Sequence, residues 1–159
     1  MAEKAIIIYY SQSGTTKQLA ELIKNLTGAD TLEIQPLHPY SDDYKTMLKE
    51  VRHELDEGID HPYLPVDVDL EKYDTVFIGT PNWGGVVANP LATFLKDHDF
   101  SGKKIIPFLT HGGAGEEDIE ETIDTICPNS DRKASYLQRG KFEQAQLESL
   151  KNWLDEVLR

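Results

Sequence analysis

The chain has 159 residues, 39 % of them hydrophobic, and its 16 Lys and Arg stand against 28 Asp and Glu for a formal net charge of −12. That length fits one domain over residues 1–159, and the apolar fraction is enough for a core, which argues against a chain disordered throughout. The acidity argues against nucleic acid and anionic membrane surfaces, which would repel the chain, and suits either a basic protein partner or a well-solvated surface.

The apolar run Ala5 to Tyr10 reads as a buried strand, followed by a polar loop and a helical stripe of Leu19, Leu22, Ile23 and Leu26. Thr31 to Leu37 is a weaker strand candidate, and Met47, Leu48, Val51 and Leu55 mark a second helix. Pro36, Pro39, Pro62 and Pro65 crowd its flanks, so this part is expected to be the loosest. Thr75 to Gly79 is a second apolar run, followed by Leu91, Phe94 and Leu95 at helical spacing. Lys104 to Leu109 is a third, followed by Ile119, Ile123 and Ile126. Ala134 to Gln138 is the last strand candidate, and Leu147, Leu150, Leu154, Val157 and Leu158 mark the last helix. Every helical stripe is read as core packing.

Strands whose apolar residues run continuously are covered on both faces, as in a parallel sheet. Strand and helix alternating five times imply an α/β architecture with right-handed crossovers and helices on both faces. In such an open sheet a ligand sits beyond the carboxyl ends of the strands, where strand order reverses. Function is therefore sought after Tyr10, Gly79 and Leu109. Cys127 is the only cysteine, so neither an intrachain disulfide nor a cysteine metal cage can form. The five histidines lack HExxH spacing, and no metal is expected. The first apolar run is too short for a signal peptide or a membrane span, so a cytoplasmic protein is expected.

In Ser11-Gln12-Ser13-Gly14-Thr15-Thr16-Lys17, hydroxyls flank a glycine between a strand and a helix start. Hydroxyls, unpaired N–H groups and the positive end of a helix dipole make a pocket for a phosphate, or else a capping turn. Lys17 is the one nearby cation, which points to a single terminal phosphate held by neutral donors. The loop is neither a Walker A motif nor GxGxxG, and it has no nucleophilic cysteine. In Thr80-Pro81-Asn82-Trp83-Gly84-Gly85-Val86, a tryptophan between an asparagine and two glycines is an aromatic plate for a flat ring, or a plug for a neighbouring groove. In Thr110-His111-Gly112-Gly113-Ala114-Gly115, three glycines bring backbone N–H groups close to a ligand. A dinucleotide fingerprint is rejected there, because its third glycine is missing and Glu116-Glu117-Asp118 would oppose a pyrophosphate.

Ser-x-Ser-Gly-x-Thr after the first strand, with the other two loops in this order, resembles the flavodoxin family over nearly the whole chain. The resemblance implies a three-layer sandwich around a five-stranded parallel sheet of order 2-1-3-4-5, and FMN as cofactor. It implies that Ser11, Gln12, Ser13, Gly14, Thr15 and Thr16 hold the FMN phosphate. Pro81, Asn82, Trp83 and Gly84 would lie along the flavin, with Trp83 stacked on it and the Gly84 peptide mobile. Thr110, His111, Gly112, Gly113 and Gly115 would meet the pyrimidine edge through backbone donors. Typical flavodoxins carry an aspartate and a second stacking tyrosine in that third loop, and this chain resembles a divergent bacterial branch. His111 either senses redox-linked charge or hydrogen-bonds behind the loop.

Glu116, Glu117, Asp118, Glu120, Glu121 and Asp124 follow the third loop with no intervening Lys or Arg. Such a rim suits redox partners with basic docking faces and repels NADPH. The expected function is an FMN-binding electron carrier between proteins, with no catalytic residues. The alternative is an NAD(P)H-dependent flavin or quinone reductase of the same fold. A receiver-type signalling domain would need aspartates at the end of the first strand, and Tyr10-Ser11 offers none.

Overall fold

The computed structural model describes residues 4–159. Five strand–helix units follow one another, as the alternation predicts. They are β1 (Ala5–Tyr9) with α1 (Thr15–Thr27), β2 (Asp30–Glu33) with α2 (Tyr44–Glu57), and β3 (Thr75–Pro81) with α3 (Asn89–Lys96). They continue with β4 (Lys104–His111) and α4 (Ile119–Ile126), then β5 (Asp131–Arg132), β6 (Tyr136–Arg139) and α5 (Leu147–Val157). All pairings are parallel in the order β2-β1-β3-β4-β5, with β6 also on β4. The order reverses between β1 and β3, which opens a crevice at their carboxyl ends. This is the sheet order the family resemblance implies.

The fifth strand comes in two pieces. Ile105 faces Arg132 and Phe108 faces Tyr136, so three steps along β4 match four along its neighbour. The extra residue is a bulge beside Pro107, which has no N–H for the ladder. The polar Asp131–Arg132 piece carried no apolar signal in the sequence.

Side-chain alternation along the central strands builds two cores. Ile6, Ile8, Val76 and Ile78 pack with α3 and α4, whereas Ile7, Phe77, Ile106 and Phe108 pack with α1 and α5. Gly79 lies opposite Phe108, and a Cβ there would stand 2.2 Å from the phenyl ring. The helical stripes are not all core: Leu48 is 44 % and Leu55 40 % exposed, whereas Met47 and Val51 of the same stripe are buried. β2 stops at Glu33, short of Leu37, and the proline-rich flanks of α2 tie to each other. Leu37 N–H donates to the Pro62 carbonyl and Leu64 N–H to that of Gln35, both at 2.8 Å. Among the described residues, no helix is long and apolar enough to cross a membrane.

Candidate functional site

The first loop ends on Gly14, whose φ of 98° suits glycine, and α1 begins at Thr15 with no side-chain cap. Its first N–H groups, those of Thr15 and Thr16, have no intrahelical acceptor. Ser11 Oγ accepts from the N–H groups of Gly14 at 3.1 Å and Lys17 at 3.2 Å, so Ser11 ties the loop together internally. The Ser13 and Thr15 hydroxyls stand 3.5 Å apart. Lys17 pairs with Glu33 on β2 at 3.8 Å, which partly compensates its charge.

The second loop is clamped by Asn82. Its N–H donates to the Thr110 carbonyl at 2.9 Å, and its Oδ1 accepts from Gly85 N–H at 2.8 Å. Its Nδ2 donates to the Gly115 carbonyl at 2.9 Å and to Glu117 Oε1 at 3.0 Å. Trp83 and Val86 pair across a two-residue turn. Gly84 and Gly85 have φ of 67° and 91°, the positive values of a type I′ hairpin. Trp83 is only 6 % exposed. Tyr10 and Tyr40 meet it edge-to-face, with ring centroids 5.0 and 4.8 Å away. Burial first, and the Glu54 carboxylate next or close behind, raise both tyrosine hydroxyls above their ordinary pKa.

In the third loop His111 Nδ1 accepts from Gly113 N–H at 3.0 Å and Gly115 N–H at 3.1 Å. Accepting at Nδ1 leaves the ring proton of neutral His111 on Nε2. Next to it, the buried Thr110 hydroxyl meets the buried Thr16 hydroxyl at 2.7 Å and joins the third loop to α1.

The three loops converge on one cleft of about 550 Å³. Ten of the fifteen expected residues line it: Gln12, Ser13, Thr15, Thr16, Pro81, Asn82, Trp83, Thr110, His111 and Gly112. The other five fall outside its wall. Ser11 and Gly14 are occupied with each other, as are Gly113 and Gly115 with His111. Gly84 faces α2 instead, where a Cβ would stand 2.6 Å from Leu55 Cδ1. The rest of the wall, missed in the sequence, is Ser41, Asp42, Tyr44, Met47, Leu48 and Gly140. Tyr44, 67 % exposed at the start of a helix, was its one available signal. Among the described residues, no group of three or more His, Cys, Asp or Glu side chains could hold a metal ion.

A family model described as flavodoxin matches residues 4–157. The chain belongs to the flavodoxin family. Among solved structures, a candidate flavoprotein from Bacteroides eggerthii is 25 % identical, with 99 % of each chain covered and a TM-score of 0.85. A Lactobacillus acidophilus flavoprotein solved with FMN is 20 % identical, with 94 % of this chain and 99 % of that one covered at a TM-score of 0.75. A Streptococcus pneumoniae flavodoxin is 14 % identical, with 97 % of each covered at 0.60. No curated protein matches the chain.

The acidic stretch of this flavodoxin is less bare than its sequence implies. Arg132 reaches back from β5 to Asp124 at 2.6 Å and Glu120 at 2.9 Å, and Glu117 accepts from Asn82.

Proposed function

We propose that this flavodoxin binds FMN in the cleft between its three loops and carries electrons between redox proteins in the cytoplasm. The observation that carries the reading is the contact between Thr16 and Thr110. It holds the hydroxyl-bearing start of α1 against the carboxyl end of β4, so that donors for a phosphate and walls for a flat ring share one cleft. A volume of about 550 Å³ falls in the range of small-molecule sites.

FMN, when bound, supplies the electron chemistry. The chain binds, orients and shields it. The N–H groups of Thr15 and Thr16 and the hydroxyls of Ser13 and Thr15 would hold the phosphate, favoured by the positive end of the α1 dipole. With Lys17 turned to Glu33, these neutral donors suit one terminal phosphate. Pro81, Trp83 and Gly112 would flank the ring, and Tyr10 and Tyr40 fix the indole from behind. Redox partners would present basic faces to the remaining carboxylates at the start of α4, where Asp118 just before the helix and Glu121 within it have no side-chain partner among the described residues.

A fluorescence titration with FMN, followed by anaerobic reduction with dithionite or NADPH, tests this. Stoichiometric FMN binding and reduction by dithionite but not by NADPH support the carrier. Rapid NADPH oxidation with a quinone as acceptor would favour the reductase of the same fold, and failure to bind FMN would overturn both.

A further inference from the structure

Trp83 is a wall of two clefts. Behind it, away from the hydroxyl loop, a second cleft of about 540 Å³ lies between α2, α3 and α4. Its body is apolar: Val51, Leu55 and Ile59 on one side, Val87 and Ala92 on another, and Ile126 on the third. Leu55 and Ile59 are two of the large apolar side chains this fold leaves about 40 % exposed, at 40 % and 41 %, and both open into this space. Half-exposed leucine and isoleucine in one concave wall gain free energy from an occupant that covers them.

The mouth has one sign of charge. Asp118 and Glu121 border it, and among the described residues neither carboxylate has a hydrogen-bond or ion-pair partner. Lys96, the one cation in the wall, is paired with Asp60 at 2.8 Å. Glu54 at the inner end is committed to Tyr40, His61 and Asn89. The two unpaired carboxylates therefore set the local field, in a chain already at −12. An anion is repelled there, and a neutral apolar molecule leaves both carboxylates without a counter-charge.

We infer that this second cleft is a binding site for a small organic cation with an apolar body, such as a quaternary ammonium or a protonated arylalkylamine. The apolar part lies against Leu55, Ile59 and Val87, and the cationic centre lies toward Asp118 and Glu121. Trp83 in the same wall adds an aromatic face for a cation. The inference stands whether or not FMN fills the other cleft.

The test is an amide and indole NMR titration of the full chain with benzyltrimethylammonium, and with benzenesulfonate as the anionic counterpart of similar size. Saturable shifts at Val87, Ala92, Thr122 and the Trp83 indole, with weaker or no binding of benzenesulfonate, are expected. The D118N/E121Q double variant removes two exposed, unpaired charges and should weaken benzyltrimethylammonium by about fivefold, the scale of two rim ion pairs. The proposal is overturned by absence of saturation, by equal binding of benzenesulfonate, by shifts confined to Ser13 and Gly112, or by unchanged affinity in the double variant.

Discussion

The hydroxyls of Thr16 and Thr110 lie 2.7 Å apart across 94 residues of sequence. Thr16 is 2 % and Thr110 5 % exposed, so each hydroxyl depends on the other for its hydrogen bond. Thr16 lies in the first turn of α1 and Thr110 one residue before the end of β4, and both line the cleft.

Replacing either threonine by valine leaves a buried hydroxyl unpaired, at a cost of about 1–3 kcal/mol. Replacing both removes donor and acceptor together. The double variant should therefore be destabilised by less than the sum of the singles, with a coupling of about 1 kcal/mol in urea unfolding. FMN affinity should fall in each single variant. Strict additivity would show that the two hydroxyls do not act on each other.

Trp83 separates the two clefts and is gripped by Tyr10 and Tyr40. Stacking of a base on an aromatic is worth roughly 1–3 kcal/mol, so Trp83→Ala should weaken FMN binding by at least about fivefold. Trp83→Phe keeps a ring and should lose less. The alanine variant should also raise the potential of the final reduction step, because an electron-rich plate disfavours added negative charge on the flavin. Unchanged affinity and potential in both variants would reduce Trp83 to a plug for the groove.

The centre of the sheet was legible because Ile6 to Ile8, Val76 to Ile78 and Ile105 to Leu109 are buried on both faces, and short β-branched apolar runs bounded by turn residues fit covered strands. The sheet edge was not. Asp131–Arg132 is short and polar, and the bulge beside Pro107 has no composition of its own. Helical spacing placed Leu48 and Leu55 on one stripe with Met47 and Val51, but spacing cannot tell which edge of a stripe a cleft leaves uncovered. Ten cleft residues were legible as loops after strands. The direction of each loop N–H was not: Gly113 and Gly115 turn theirs to His111, a choice made by backbone turns rather than residue type.

His111 holds the third loop by accepting two N–H groups on one nitrogen. His111→Ala orphans both donors and should weaken FMN binding by roughly tenfold, the scale of one to two hydrogen bonds. His111→Asn places an amide oxygen near the former Nδ1 and should restore most of that loss. Equal losses in the two variants would mean that the imidazole contributes something other than this acceptor.

Gly79 owes its place to Phe108. A methyl group there would overlap the ring at 2.2 Å, between two central strands that cannot easily part. Gly79→Ala should destabilise the fold by about 1–3 kcal/mol, and Phe108→Leu in the same chain should recover part of it by making room. A Gly79→Ala protein as stable as the parent in urea would show that the strands give way after all.

Several buried groups keep their protons longer in the fold than in the unfolded chain. Burial, with a smaller push from Asp124, raises the Cys127 thiol from 9.0 to about 11. Burial, then Glu33 and Glu21, raises Tyr9 from 10.0 to about 12. Tyr10 and Tyr40 are raised as well, chiefly by burial. A group whose folded pKa is raised contributes stability that is whole below its unfolded pKa and disappears as pH climbs through the folded one. The urea midpoint should therefore fall as pH rises from about 9 to 12, as the unfolded chain ionises first. Iodoacetamide at pH 8 should leave Cys127 unlabelled in the native protein and label it in urea, because the thiolate is the reactive form and this thiol is both buried and protonated. A midpoint that stays level across that window, or rapid native labelling, would show that these groups are far more open to water than their packing implies.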